Sequence, residues 1–327
     1  MKTTGSAKPK VLVTGGTGYI GGKTALFLKR NGYRVTCLTR SGGPVGAMPT
    51  VRGDLLRPET LRMACHGMDM VCHFAGALGR GLTDDMVRSV NVQGVENMVR
   101  AAAEAGVEYF LHISSGAVVG PRDAEPADEK TVCKPYSLYE RTKYQGELVA
   151  LRLSKNLGLP LSVVRPTFTY GPGDPHKLLM FKLIRKGLFF YIGNGRSTNH
   201  PVYIDDLIDG VRRVLDKRPV QEVFIVGGPR PATQTEWGYT IARELGVRPP
   251  FLHLPAGLMW RLACLMEPIG SRLNISVPVT RSRVLALSRS WSMRIDKARR
   301  TLGYTPQTEL STGVARTVAW YRKAGWL

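Results

Sequence analysis

Long hydrophobic runs are missing from this chain of 327 residues: no span of 18 uncharged apolar residues occurs, so no transmembrane helix is expected. The polar N-terminus MKTTGSAKPK has no apolar core either, and nothing there resembles a secretion signal. Cysteine is sparse. Cys37, Cys65, Cys72, Cys133 and Cys264 form no C-x-x-C pair and no His/Cys cluster at metal spacing. That excludes a disulfide framework and a zinc site; no metal is expected, and a reducing cytoplasm is the expected location. Acidic residues are also few, 25 against 46 Lys and Arg, a formal net charge of +21 that divides as +7 over residues 1–175 and +14 over 176–327. Such a field can attract anionic small molecules, anionic lipid or nucleic acid, but basic residues on solvated helix faces are the stronger reading. The basic residues are dispersed and no nucleic-acid module accompanies them, so nucleic acid is not expected as a partner. The remaining composition, 43% hydrophobic, is that of a soluble globular chain with one large or two unequal domains.

The run KVLVTGGTGYIGG, residues 10–22, passes from an apolar strand into a glycine turn without a polar spacer. Val11, Leu12 and Val13 read as a parallel strand buried on both faces, with the turn beginning at Thr14. Gly15, Gly18 and Gly21 recur every third residue: the first for a tight turn, the second for close approach to a pyrophosphate, the third for packing of helix on strand. The helix that follows, with Ala25, Leu26, Phe27 and Leu28 assigned to its inner side, aims its N–H groups and positive dipole end at the phosphates. The segment predicts a dinucleotide cradle.

Strand-like runs recur at Arg34–Leu38, Met70–Phe74, Tyr109–Ile113, Leu161–Val164 and Val223–Val226, with helical patterns near 84–105 and 138–157. This alternation predicts an α/β fold, a Rossmann-type doubly wound parallel sheet. Between Gly171 and His200 come a GPGDP loop, a basic apolar helix at 177–186 and a glycine turn at 193–195; beyond Gly227, Pro and Gly punctuate short helices and no strand alternation returns until the end. The expected division is a dinucleotide-binding domain of 1–173 plus 202–229, and a smaller, mostly helical substrate-binding domain of 174–201 plus 230–327.

Tyr139 and Lys143 stand i, i+4 within YSLYERTKYQGE and so share a helix face. A Lys cation beside a phenol favours the phenolate, and the spacing predicts a phenol pKa below its usual value of about 10. The same Y-x-x-x-K pattern at Tyr19 and Lys23 lies inside the glycine loop, where a structural role is the natural one. Context separates the two pairs: Ser115 follows the strand Tyr109–Ile113, and ligands bind at the C-terminal ends of parallel strands.

TGGTGYIG (14–21), GDL (53–55), HFAGA (73–77), VNVQGVEN (90–97), ISSGAVVG (113–120), YERTK (139–143), RPTFTYGPGD (165–174) and VYIDDL (202–207) fall in the order found in the extended short-chain dehydrogenase/reductases, which the chain resembles over nearly its whole length. The resemblance implies Tyr139 as general acid/base, Lys143 on the nicotinamide ribose and Ser115 on the reacting oxygen. It further implies cofactor contacts from the loop residues Thr14, Gly15, Gly16, Thr17, Gly18, Tyr19, Ile20 and Gly21. Asp54 with Leu55 falls at the adenine; Phe74, Ala75 and Gly76 fall along the cofactor backbone, with Ser114 at the end of the same crevice, and Pro166 and Thr167 near the nicotinamide. Asn91 is either a cofactor contact or a helix cap.

At the end of the second strand, CLTRSG, an NAD-specific member would carry an acid on the ribose hydroxyls, whereas this chain has Thr39 and then Arg40. A guanidinium can pair with a 2′-phosphate, so NADP(H) is favoured over NAD(H). Sugar-nucleotide dehydratases place an acid directly after the hydroxyl residue of the ISS segment; here Gly116 and Ala117 follow Ser115. Epimerases tend to carry an Arg just before the VYIDDL-like segment; here stand Asn199, His200 and Pro201, with Arg196 near enough to substitute.

The C-terminal third, with SVPVTRSRVLALSRSWSMRIDKARRTLGYTP, is similar to the 3β-hydroxysteroid dehydrogenase-like branch. Phe181, Leu188, Phe189, Phe190, Tyr191 and Ile192, then Leu258, Met259, Trp260, Leu262, Leu265 and Met266, read mostly as ordinary core, since helices bury such stripes; the remainder suggest a greasy pocket or a lid resting on a membrane, with Arg261 and nearby basic residues facing lipid phosphates. The resulting expectation is an NADP(H)-dependent oxidoreductase interconverting ketone and secondary alcohol on a hydrophobic, sterol-like or 3-oxo-acyl-like substrate. A sugar-nucleotide epimerase with tightly bound NAD and a non-enzymatic dinucleotide-sensing protein are the alternatives. A peripheral membrane contact and a homodimer are both compatible with the sequence.

Overall fold

In a computed structural model, which describes residues 8–78, 81–273, 277 and 279–327, six apolar runs and one short edge strand become one parallel sheet. The polar N-terminal residues 1–7, and Ser276 and Pro278 of the C-terminal apolar segment, lie outside the described residues. The strands are β1 (Lys10–Thr14), β2 (Arg34–Thr39), β3 (Thr50–Arg52), β4 (Met70–His73), β5 (Tyr109–Ile113), β6 (Leu161–Pro166) and β7 (Glu222–Val226). Their order is β7-β6-β5-β4-β1-β2-β3. Every neighbouring pair is parallel. The direction of winding reverses between β1 and β4, and the crevice beyond their C-terminal ends is where such sheets take ligands.

Both faces of the sheet are covered, which is why its strands read as apolar runs. The helices are α1 (Tyr19–Arg30), α2 (Pro58–Cys65), α3 (Gly94–Glu104), α4 (Leu138–Leu157), α5 (Leu178–Arg185), α6 (Ile204–Lys217), α7 (Gln234–Leu245), α8 (Ala256–Leu273), α9 (Arg281–Ser288) and α10 (Leu310–Lys323). Leu12, Val71, Phe110 and Val163 pack on α2, α3 and α4 through Leu61, Val95, Met98 and Leu153. On the opposite face Val11, Val13, Leu111 and Val164 meet Ala25 and Leu28 of α1 and Leu207, Val211 and Val214 of α6. Each of these buried side chains other than Ala25 contributes roughly 1.5–3 kcal/mol relative to exposure. Leu26 points out, because four consecutive residues cannot share one helix face.

Three local differences from expectation have physical causes. β3 was not expected; three residues are too short to display a period. The stretch 84–105 breaks into a short helix (Asp84–Arg88), a π-helical turn (Ser89–Gln93) and α3, and the π turn lies where α4 crosses it: a Cβ on Gly146 would stand 2.1 Å from the Asn91 carbonyl oxygen. Beyond Gly227, short strands do return. Ala232–Thr233, Thr198–Asn199, Trp291–Met293 and Arg122–Ala127 form a four-stranded sheet in that order. Arg122–Ala127, which the expected boundary leaves in the first domain, thus pairs with a strand of the second.

A third, small core holds the remaining helices. Met259 and Ala263 of α8 and Val284 of α9 close over Ile192, which lies in the two-residue strand paired with His253–Leu254.

Candidate active site

The glycine turn is built by close backbone contact. Gly15 adopts φ +72°, and a Cβ there would meet the Ala75 amide nitrogen at 2.7 Å; only glycine brings β1 this close to the chain leaving β4. A Cβ on Gly21 would lie 2.4 Å from the Gly15 carbonyl oxygen and 3.1 Å from Phe74, so α1 rests directly on the turn. Thr17 and Gly18 form the exposed crest, and no side chain caps the first turn of α1. Thr14 is committed inward: its hydroxyl bonds His73 Nδ1 at 2.8 Å and accepts from the Ala75 amide at 3.2 Å. Tyr19 turns away from the crest. Its hydroxyl is buried without a partner beneath Gly171, and burial, with Asp174 nearby, drives its pKa far above the usual value. Ile20 is half-buried beside it.

Helix α4 starts at a capping box: the Ser137 hydroxyl accepts from the Glu140 amide, and the Glu140 carboxylate accepts from the Ser137 amide, each at 3.2 Å. That boundary sets Tyr139 and Lys143 on the face toward β5. Lys143 is buried and donates to the Ile113 carbonyl at 2.7 Å. Ser115 lies just past β5; its hydroxyl oxygen accepts from the Ala117 amide at 3.2 Å, leaving its proton to be donated elsewhere, and its side chain lies near enough to the Tyr139 phenol to pull that pKa down. Tyr139, Lys143 and Ser115 therefore converge at the C-terminal end of β5.

The electrostatics differ from the expected phenolate. Enclosure by protein raises the Tyr139 pKa above its usual value; the Ser115 hydroxyl partly offsets this and Glu140 adds to it. Lys143 itself is pushed down to about 8 by burial, against the pull of Glu147. Desolvation disfavours the charged form of each group and outweighs the Ser115 hydroxyl at Tyr139 and the Glu147 carboxylate at Lys143.

Asn91 is not a cap: it sits inside the π turn, its Oδ1 accepting from the Ala77 amide at 2.7 Å and its Nδ2 donating to the Ala77 carbonyl and the Thr142 hydroxyl at 2.9 and 3.0 Å. It clamps the loop carrying Ala75 and Gly76 to α4. A Cβ on Gly76 would fall 3.7 Å from Lys143 Nζ. The Asp54 carboxylate accepts from the Leu56 amide at 2.9 Å, and Leu55 is buried with its carbonyl bonded to Asn97. Arg40 stands exposed one residue past β2. Pro166 ends β6, and the Thr167 amide donates to the Val226 carbonyl at 3.0 Å.

This crevice fits a dinucleotide. The buried hydroxyls of Thr39, Ser114 and Thr167 have no partner, and all three lie at C-terminal ends of sheet strands. Unpaired buried hydroxyls are costly and mark a place for a polar ligand. The glycine crest and uncapped helix suit a pyrophosphate.

On the substrate side, a Cβ on Gly116 would stand 2.8 Å from the Met293 sulfur. Asn199 accepts from Trp237 Nε1 at 2.7 Å, and His200 lies buried between the carbonyls of Met293 and Gly228 at 2.8 and 2.9 Å. Arg196 is exposed on the turn that carries Gly193–Gly195. Phe181, Tyr191, Ile192 and Met259 are core, Phe189, Phe190, Trp260 and Met266 are half-buried, and Leu188, Leu258, Leu262 and Leu265 are exposed. Tyr136, ahead of the capping box, meets Trp260 with ring centroids 6.4 Å apart.

Two features escaped the sequence reading. Arg165 forms a buried, two-point ion pair with Glu147, one turn beyond Lys143; the i, i+4 spacing of Lys143 and Glu147 was the available signal. His73 and His112, on paired strands, stack 5.5 Å apart beneath Lys143, and burial lowers the His73 pKa to about 3, so it is neutral. Nothing local to either strand announces that stack.

Comparisons with known proteins agree with this geometry. The model of the NAD dependent epimerase/dehydratase family matches residues 11–227. A 4-hydroxy-2-methyl-3-oxo-4-farnesyl-3,4-dihydroquinoline-1-oxide ketoreductase of Stigmatella aurantiaca is 28% identical, covering 93% of this chain and 94% of its own. A 3-beta-hydroxysteroid dehydrogenase of Mycolicibacterium neoaurum is 27% identical over 95% and 91%. The crystal structure of the dTDP-glucose 4,6-dehydratase DesIV of Streptomyces venezuelae, with NAD bound, superposes with a TM-score of 0.79 at 26% identity, covering 97% and 98%. The chain belongs to the NAD dependent epimerase/dehydratase family, the extended short-chain dehydrogenase/reductases, and is an NAD(P)-dependent oxidoreductase of that family.

Proposed function

We propose that this protein is an NADP(H)-dependent ketoreductase acting on a hydrophobic, sterol-like or 3-oxo-acyl-like ketone, with 1–173 plus 202–229 as the cofactor-binding part and 174–201 plus 230–327 closing over the substrate. The observation that carries the reading is the Met293 thioether against Gly116: beside Ser115 the site offers an apolar wall where a dehydratase would need a carboxylate. The names of the Stigmatella and Mycolicibacterium relatives, a ketoreductase of a farnesylated compound and a hydroxysteroid dehydrogenase, support an apolar substrate. Against the epimerase reading, Asn199 is held by Trp237 and His200 by two carbonyls, so neither can clamp a diphosphate.

The nicotinamide, when bound, supplies the hydride. Tyr139, whose pKa is raised, holds its proton through the neutral range and donates it to the carbonyl oxygen. Ser115 donates a hydrogen bond to the same oxygen, its own oxygen being occupied by the Ala117 amide. Lys143, fixed by the Ile113 carbonyl, presents its charge to the ribose below about pH 8. Arg40 at the edge of the crevice supports a 2′-phosphate.

The test is NADPH oxidation by the purified protein against ketosteroids, long-chain 3-oxo acids and cyclic ketones, with NADH in parallel. Turnover of an apolar ketone with NADPH is expected. Release of NAD from the denatured protein together with epimerisation of a UDP- or GDP-sugar would replace this reading by the epimerase.

A further inference from the structure

Helix α8 buries one face and leaves the other without cover. Met259 and Ala263 pack inward on Ile192 and Val284, whereas Leu258, Leu262, Leu265 and Ile269 are 51, 38, 66 and 55% exposed. Steps of four, three and four residues align these four side chains in one stripe along the helix. Arg261 is exposed on the flank of the stripe, and Arg272 is exposed in the last turn, beyond Pro268. The acid of this helix, Glu267, lies on the opposite side, half-buried and paired with Arg281 of α9. The outward face thus carries four large apolar side chains, two guanidinium groups and no carboxylate. Phe251, 86% exposed, and Leu252 precede it in the chain.

We propose that this face of α8 docks on an anionic lipid surface. Apolar side chains flanked by arginines are what an interfacial helix presents to acyl chains and lipid phosphates. The charge argues against a second copy as the occupant, since pairing two stripes would bring four guanidinium groups together between chains of net charge +21. The inner side of α8 borders the site. Trp260 meets Tyr136, and Glu267 and Arg281 line a cleft of about 380 Å³ with Pro135, Ser137, Leu138 and Arg141, at the start of the helix that carries Tyr139 and Lys143. Docking therefore holds the cleft one helix diameter, roughly 10 Å, from the bilayer in which an apolar ketone partitions. That consequence rests on the ketoreductase reading; the docking does not.

The test is co-flotation of the full-length protein with phosphatidylcholine vesicles, with and without phosphatidylglycerol, at low and high salt. Wild type is expected to float with the anionic vesicles and to be released in part by salt. Leu262→Asp/Leu265→Asp is expected to lower the partition coefficient more than tenfold, and Arg261→Ser/Arg272→Ser by about five-fold for each arginine removed. Met63→Asp, a substitution at a 78% exposed site on α2, is the control and should bind as wild type. Thermal melts check that all variants fold. Wild-type failure to bind anionic vesicles, or equal binding by the stripe variants, overturns the proposal. So does a lipid-free dimer, seen by sedimentation, that Leu262→Asp/Leu265→Asp dissociates, because the stripe would then belong to a second copy. Vesicle binding without reduction of any ketone would keep the docking and discard the ketoreductase reading.

Discussion

The first carbon of any side chain at Gly116 would lie 2.8 Å from the Met293 sulfur and 2.9 Å from its methyl carbon. The residue after Ser115 is thus kept small by two neighbours, the flexible end of Met293 and the Pro166 carbonyl oxygen, which lies 3.0 Å from the same carbon. Gly116→Glu is expected to lower stability by about 1–3 kcal/mol through overpacking, without creating dehydratase activity. Adding Met293→Ala should restore part of the loss. Chemical denaturation of the single and double variants measures both.

Tyr139→Phe removes the proton donor and keeps the ring. Ketone reduction is expected to fall about 10²- to 10⁴-fold while NADPH binding, followed by fluorescence, is retained. Tyr19→Phe is the matched control. It deletes a buried hydroxyl that has no partner, so turnover should persist and stability should hold or rise.

The Lys143 pKa of about 8 predicts a pH dependence of cofactor binding. Lys143 is charged below that value and neutral above it, so NADPH affinity should fall as pH rises through about 8. Lys143→Met should weaken binding and flatten the profile. For folding the sign is opposite: the unfolded lysine keeps its proton up to its ordinary pKa. The cost of burying the charge is therefore present in full below about 8 and is relieved as pH rises beyond it.

Glu147 serves two cations, pairing with Arg165 at both of its oxygens and holding the Lys143 pKa up. Glu147→Gln should cost about 3–5 kcal/mol, since it strands a buried guanidinium. It should also move the midpoint of the NADPH-affinity profile below that of the wild type. The shift of midpoint separates an electrostatic role from a structural one.

Arg40→Asp should invert the ratio of kcat/KM for NADPH and NADH, because a carboxylate repels a 2′-phosphate and accepts from ribose hydroxyls. An unchanged ratio would make Arg40 a bystander at the edge of the crevice.

The strand, glycine turn and helix of residues 10–30, the boundaries of α4 and the shared face of Tyr139 and Lys143 could all be read from the sequence. Each is set by neighbours within a turn or two: β-branched runs, a Ser137–Glu140 capping box, a spacing of four. Family resemblance added Ser115 and the order of motifs around one crevice.

Enclosure was decided only in three dimensions. The i, i+4 spacing of Tyr139 and Lys143 suggested a lowered phenol pKa, yet the protein packed around both groups raises one pKa and lowers the other, because desolvation depends on distant segments that no local period reports. The same holds for Asn91, which reads as a cap or a ligand contact and becomes a clamp between Ala77 and Thr142. Likewise the apolar letters of 256–269 are indistinguishable in sequence. Only the packing of Met259 and Ala263 on Ile192 and Val284 determines which leucines are buried and which are left facing outward.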